Sequence, residues 1–237
     1  MKLLALETSA KAVSAAVVEN GCVLASAYQC VGLTHSRTLM PMVEAMLCSS
    51  ELSLADLDAI AVAAGPGSFT GIRIGIAAAK GLAWARELPC VGVSTLEAMA
   101  QGVAHLDGVI VCAMDARRAQ VYNALFEAKD GVLTRLCPDR AISLEELGGE
   151  LKTCKKNKII VGDGAQLCYN DLSKNGIGCR MAPSRLVMQH AVGVGIVAER
   201  MAQAGQTVAA QDLKPVYLRL SQAERERNKR IGAVQHE

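Results

Sequence analysis

Val109-Ile-Val-Cys-Ala-Met-Asp115 decides the fold, because it repeats the way the chain opens: Lys2-Leu-Leu-Ala-Leu-Glu7 is likewise a short apolar run closing on an acid. The sequel to each copy repeats as well. After Glu7 come a Val- and Ala-rich run at 13–19, the pair Asn20-Gly21, and a returning run at 22–28; after Asp115 come 120–126, Asp130-Gly131 and 132–136. Asn-Gly and Asp-Gly accept the positive φ that a two-residue hairpin loop requires, so each half opens as three antiparallel strands. Glu7 to Asn20 is 13 residues and Asp115 to Asp130 is 15, so the two units share one size.

Helices and strands then alternate. Thr34-His35-Ser36 precedes Leu39, Val43, Met46 and Leu47, the three-and-four spacing of one helix face, with Pro41 in its second turn. A buried-type strand at 58–64, the turn Gly65-Pro-Gly-Ser-Phe-Thr-Gly71, a helix at 69–86, a strand at 91–93 and a helix at 95–104 complete the first half. In the second half Ser143-Leu-Glu-Glu146 has the form of a capping box, and Lys158-Ile-Ile-Val-Gly-Asp-Gly164 is a strand ending in a glycine turn. Both halves read as one βββαβα unit. An α/β chain made of two such units has the plan of the actin-like superfamily of sugar kinases and heat-shock ATPases, two lobes facing each other across a nucleotide cleft. The expected lobes are 1–105, joined by the terminal segment 213–237, and 106–212.

Composition narrows the function. Twenty-five Lys and Arg against 23 Asp and Glu give a net charge of +2, so no global attraction to a polyanion is built in. Two Phe, four Tyr and one Trp leave few platforms for stacking bases. Nine scattered cysteines, never spaced Cys-x-x-Cys, argue against a disulfide framework or a zinc knuckle. An acid at residue 7 interrupts any signal-peptide core, and no apolar run is long enough to span a bilayer, so a cytoplasmic protein without membrane contact is expected.

The glycine-rich turn invites a phosphate-binding reading, which fails on spacing. Gly71 is followed by Ile72 and Lys80 by Gly81, so no Gly-Lys-Ser/Thr exists, and Gly65-x-Gly67-x-x-x-Gly71 misses the dinucleotide pattern. Glu7 and Asp115 stand where a phosphotransferase of this fold keeps its metal-managing carboxylates, or they serve local turns. Gly162-Asp163-Gly164 borders an adenine or phosphate pocket on the first reading and is a plain tight turn on the second. Arg118, beside Arg117, either grips an anion or is a solvated strand-edge charge. The four histidines lie at least 46 residues apart and form no His-Glu-x-x-His, which disfavours a metalloprotease. The mixed-sign segment 223–230 reads as a solvated helical tail. The thin helix after the turn, with Gly75, Ala79 and Gly81, suggests close packing against another helix.

The chain resembles the TsaB (YeaZ) family, whose members are required to make threonylcarbamoyladenosine in tRNA. The resemblance runs through Leu4-Ala-Leu-Glu-Thr-Ser9, Thr34-His-Ser-x-x-Leu-Met-Pro41, Gly65-Pro-Gly-Ser-Phe-Thr-Gly-Ile-Arg-Ile-Gly75, Gly92-Val-Ser-Thr-Leu96, Asp115-Ala-Arg-Arg118 and Pro215-Val-Tyr-Leu-Arg-Leu-Ser-Gln-Ala-Glu-Arg225. In the related catalytic subunit, TsaD, Asn-His-x-x-x-His follows the corresponding Gly-Val and holds a metal; here Thr95 and Met99 fall at those histidine positions. A hydroxyl and a thioether are poor substitutes for two imidazoles. The resemblance therefore implies a non-catalytic subunit with no metal and no cofactor of its own, ATP or ADP being confined to an interface of the complex. It further implies pairing with itself or a TsaD-like paralogue through helices 34–50 and 69–86, with His35, Leu39, Met42, Val43, Met46, Phe69, Ile72, Arg73, Ile76 and Lys80 as interface residues. Glu7, Asp115, Arg118, Gly162, Asp163 and Gly164 would be a vestigial nucleotide cleft. A TsaE-like ATPase joins the pair, and tRNA is met only through the assembly. The alternative is an ATP-dependent phosphotransferase of the same fold.

Overall fold

A computed structural model describes residues 1–219 of the 237. The first unit runs β1 (Lys2–Glu7), β2 (Val13–Glu19), β3 (Cys22–Gln29), α1 (His35–Ser49), β4 (Ala59–Gly65), α2 (Phe69–Trp84), β5 (Cys90–Ser94) and α3 (Thr95–Gly102). The second runs β6 (Gly108–Asp115), β7 (Gln120–Lys129), β8 (Val132–Arg135), β9 (Arg140–Ser143), α4 (Leu144–Lys152), β10 (Lys158–Val161), α5 (Ala165–Lys174), β11 (Arg180–Met181) and α6 (Ala191–Gln203). The duplicated α/β plan stands, with one addition: β9 pairs with β7 and has no counterpart in the first unit.

Each unit builds a sheet whose first three strands are antiparallel and whose later strands add in parallel. The orders are β3-β2-β1-β4-β5 and β11-β10-β6-β7-β8. Both hairpin loops take left-handed φ as their residues demand, 51° and 74° at Asn20-Gly21 and 51° and 78° at Asp130-Gly131. The Ser143 hydroxyl accepts from the Glu146 N–H while the Glu146 carboxylate accepts from the Ser143 N–H, a complete capping box opening α4.

The core has five layers. α1 and α2 cover one face of the first sheet, packing Leu39, Val43, Met46, Ile72 and Ile76 on Leu4, Leu6, Ile60 and Val62. α4 and α5 cover the outer face of the second sheet through Leu147, Leu151, Cys168 and Leu172. Between the sheets lie α3 and α6, and each serves the other unit. α6 packs Val194, Val197 and Ala198 on Leu3, Ala5 and Val18 of the first sheet, whereas α3 packs Leu96, Met99 and Val103 on Ile110, Cys112 and Phe126 of the second. From residue 191 the chain thus packs on the first sheet. Two close approaches let it do so: a Cβ at Gly193 would sit 2.1 Å from the Ala98 carbonyl oxygen, and one at Gly195 2.6 Å from the Val18 side chain. The buried Glu199 carboxylate accepts from the N–H groups of Asn20 and Gly21, pinning α6 to the first hairpin. The segment after α6 stays on the first lobe: Val208 bridges Cys90, Leu213 enters the α1–α2 core, and the Val216 N–H donates to the Ala64 carbonyl. The expected tail helix at 223–230 lies outside the described residues. No helix among the described residues is long and apolar enough to cross a membrane.

Candidate functional site: the seam between the lobes and the α1–α2 face

The glycine turn serves the end of β1. Thr8 follows Glu7, and its hydroxyl donates to the Gly71 carbonyl at 2.7 Å. A Cβ at Gly71 would stand 2.1 Å from the Thr8 carbonyl oxygen, and one at Gly75 2.4 Å from Thr8 Oγ1. The first two turns of α2 thus lie against β1, which offsets the cost of glycine in a helix. The close neighbour expected for this helix is a strand end of its own lobe, not a second helix. Ser68 caps α2 by accepting from the Gly71 N–H, and the Ser68 N–H donates to the Ser9 carbonyl, so no phosphate cradle is left open there.

Glu7 and Asp163 come together at the seam. Glu7 is wholly buried at the end of β1; its Oε1 accepts from the Ser9 N–H at 2.5 Å, and its Oε2 has no partner among the described residues. Burial pushes its carboxyl up to about 7, aided by the negative charge of Asp163. Asp163, in the turn after β10, is itself raised, first by burial and further by Asp115, while the Gln189 side-chain amide donates to it at 3.2 Å. Gly162, at φ +113°, brings that turn against β6, where a Cβ would lie 2.1 Å from the Ala113 carbonyl oxygen; the Gly164 N–H donates to the same carbonyl.

Asp115 departs from the cleft reading. It is exposed and its Oδ1 accepts from the Arg117 N–H, closing a turn in which Arg117, Arg118 and Ala119 all adopt left-handed φ. The local-turn alternative therefore describes it. Arg118 is exposed, with no ion pair among the described residues. Thr95 and Met99 lie on the buried side of α3; Thr95 Oγ1 has no partner among the described residues, and Met99 Sδ packs against Gly162. No three His, Cys, Asp or Glu side chains converge as a cation would need among the described residues. The seam thus holds two buried carboxyls, both raised, with Glu7 titrating near neutrality.

Sequence reasoning missed Ser9 and Gln189; among the described residues the buried Ser9 hydroxyl and Gln189 Oε1 have no partner. Neither belongs to a motif; contacts across 26 residues, such as Gln189 to Asp163, leave no local signal. Tyr217 lay in a quoted motif without a role. It accepts from Arg73 Nε at 2.9 Å and stacks on Phe69, whose ring lies 3.7 Å beneath the Arg73 guanidinium. Two residues on, Arg219 donates to the Ala116 carbonyl, so this strand of chain ties α2 to the second lobe.

Most of the residues expected on the α1–α2 surface point inward. Leu39, Met42, Val43, Met46, Ile72 and Ile76 are all buried in the first lobe's own core, because the apolar stripe read as a partner face is the stripe against the sheet. His35 is half-buried and donates from Nε2 to the Ala10 carbonyl at 2.7 Å, and Lys80 donates to the Gln211 carbonyl at 3.0 Å. Phe69 and Arg73 remain at the rim. The outward face instead carries Met40, Glu44 and Ala45 on α1 and Thr70, Arg73, Ala77, Gly81 and Trp84 on α2, with Trp84 69% exposed. Beside α1 a groove of about 760 Å³ opens against β3, lined by Tyr28, Leu33, Pro41 and Ala45 among others.

Comparison with known proteins accords with this architecture. Residues 29–226 match the family model described as "TsaD: tRNA N6-adenosine threonylcarbamoyltransferase". The tRNA threonylcarbamoyladenosine biosynthesis protein TsaB of Escherichia coli K12 is 36% identical over 222 residues, covering 92% of this chain and 95% of that protein. The solved structure of YeaZ from Pseudomonas aeruginosa superposes with a TM-score of 0.80 at 29% identity, over 92% of this chain and 99% of that one. The Acidaminococcus fermentans (R)-2-hydroxyglutaryl-CoA dehydratase component A shares the fold alone, at TM-score 0.50 and 12% identity over 86% of this chain and 99% of that one.

Proposed function

Since the chain belongs to the TsaB (YeaZ) family, we propose that it acts in threonylcarbamoyladenosine formation on tRNA as a non-catalytic subunit, pairing through the outward face of α1 and α2 with a metal-bearing TsaD-like paralogue. The observation that carries this reading is the environment of Thr95 and Met99. They stand at the positions that the resemblance assigns to the paralogue's metal ligands, and both are packed into the core between the sheets. Neither supplies an imidazole, and a hydroxyl and a thioether are poor ligands in place of two such donors. A subunit of this kind works in the cytoplasm, forms a homodimer when its partner is scarce, and leaves the nucleotide of the assembly to the interface with a TsaE-like ATPase.

A patch of small side chains ringed by Met40, Arg73 and Trp84 suits a helix-on-helix contact across a twofold axis. Gly75 and Ala79 are unsuitable probes, since both are buried against the molecule's own sheet. Ala77 is exposed on α2. Light scattering on the purified chain mixed with the paralogue should show a heterodimer, and Ala77→Arg should weaken that pairing by at least about tenfold while leaving the thermal midpoint unchanged. A variant that pairs and stimulates tRNA modification like the parent would remove α2 from the interface. Turnover of a small substrate by the isolated chain with ATP and magnesium would replace the subunit reading by phosphotransfer.

A further inference from the structure

The far pole of the second lobe carries a basic side at the starts of β10 and β11, next to the acids Asp107, Glu127 and Asp130 at the β6–β7 end. β6 and β10 run parallel and both end at the seam, so the start of β10 lies ~15 Å and that of β6 ~25 Å from it. α4 ends at this pole with Lys152, the loop Lys155-Lys156-Asn157-Lys158 comes next, α5 ends with Lys174, and β11 opens on Arg180. Residues 152–180 hold six Lys and Arg and two Asp, and one of those, Asp163, is the seam acid.

Lys155, Lys156, Asn157, Lys158 and Arg180 line a concavity of about 520 Å³, to which Gly178 and Cys179 complete the wall. Arg180 opens β11 in register with Ile159, the residue after Lys158, and both basic residues line the concavity. Lys158 is held rigidly: its ammonium donates to the carbonyls of Cys154 at 2.6 Å and Lys156 at 3.3 Å, leaving one proton unused. Lys156 pairs with Glu127, whereas Lys155 and Arg180 enter no ion pair among the described residues.

We propose that the basic side of this pole, centred on the exposed Lys155 and Arg180 with the buried Lys158 in the wall, docks the phosphate backbone of the tRNA substrate. The proposal rests on the tRNA-modification reading above and departs from the expectation that tRNA is met only through the partners. The concavity is open and its charge continues outward to Lys152 and Lys174, which suits a run of phosphates better than one small anion. No aromatic side chain lines it, so the contact positions the RNA and reads no bases. Lying at the opposite end of the lobe from the seam, it leaves the α1–α2 face free for the paralogue.

The test measures anisotropy of a labelled, unmodified tRNA transcript with the full chain across a salt series. Lys155→Glu/Arg180→Glu should weaken binding at least about tenfold and lower the slope of log affinity against log salt by about 2. Lys2→Glu/Lys214→Glu, which makes the same change in net charge on the first lobe, should leave both nearly unaltered. Equal binding by the parent and the Lys155→Glu/Arg180→Glu chain overturns the proposal. Displacement of tRNA by millimolar inorganic phosphate at constant ionic strength would also overturn it, in favour of a small-anion pocket. In the reconstituted modification reaction the double variant should raise KM for tRNA with kcat kept. A parent chain that fails to stimulate that reaction refutes the subunit reading; stimulation with an unchanged KM in the variant refutes only the docking pole.

Discussion

Glu7 is a carboxylic acid whose burial carries its titration up to about 7. Its unfolded value is near 4.5 and its folded value about 7, so between these the folded state holds a proton that the unfolded chain has released. Stability therefore falls as pH rises from about 4.5 to about 7 and is level above that, by roughly 3 kcal/mol for a shift of this size. Asp163, also raised, acts with the same sign. Glu7→Gln keeps an oxygen for the Ser9 N–H and removes the titration. Its thermal midpoint should match the parent near pH 5 and exceed it by several degrees at pH 8; parallel pH curves for the two proteins would show that Glu7 is not buried as described. At this scale the sequence was partly legible. An acid closing each first strand marked Glu7 and Asp115, but only the fold shows that one is sealed in the seam and the other caps an exposed turn.

At the scale of elements, local chemistry was readable and its environment was not. Asn20-Gly21, Asp130-Gly131 and the Ser143–Glu146 box each carry their instruction within four residues, and all three form as expected. The periodicity of α1 and α2 identified an apolar stripe, yet a stripe does not name what covers it; here the sheet does, and the outward side chains are mostly small or polar. α6 escaped notice because Gly193 and Gly195 interrupt its pattern, and both are glycine for close approaches to other elements. The glycines of α2 separate the two roles cleanly. Gly71→Ala drives a methyl into the Thr8 carbonyl and should cost about 1–3 kcal/mol. Gly81, exposed with nothing within 4 Å of an added Cβ, should gain about 1 kcal/mol as alanine. Urea midpoints for the two variants should move in opposite directions, and a neutral Gly71→Ala would mean that α2 is not seated on β1.

For the whole molecule, the repeat at Val109–Asp115 was enough to give two lobes and their sheets, while the order in which helices cover those sheets came only from three dimensions. α3 belongs in sequence to the first unit and in space to the second sheet; α6 does the reverse. Residues 1–106 expressed alone should consequently show the dye binding and weak near-ultraviolet dichroism of a loosely packed chain, and mixing with residues 107–237 should restore native packing. A well-folded first fragment would contradict the exchange. Each repeat has handed its neighbour the lid of its own box, so the pair can no longer be parted: the duplication persists as a mutual dependence, and any substitution that loosens α6 unroofs the lobe at the other end of the gene.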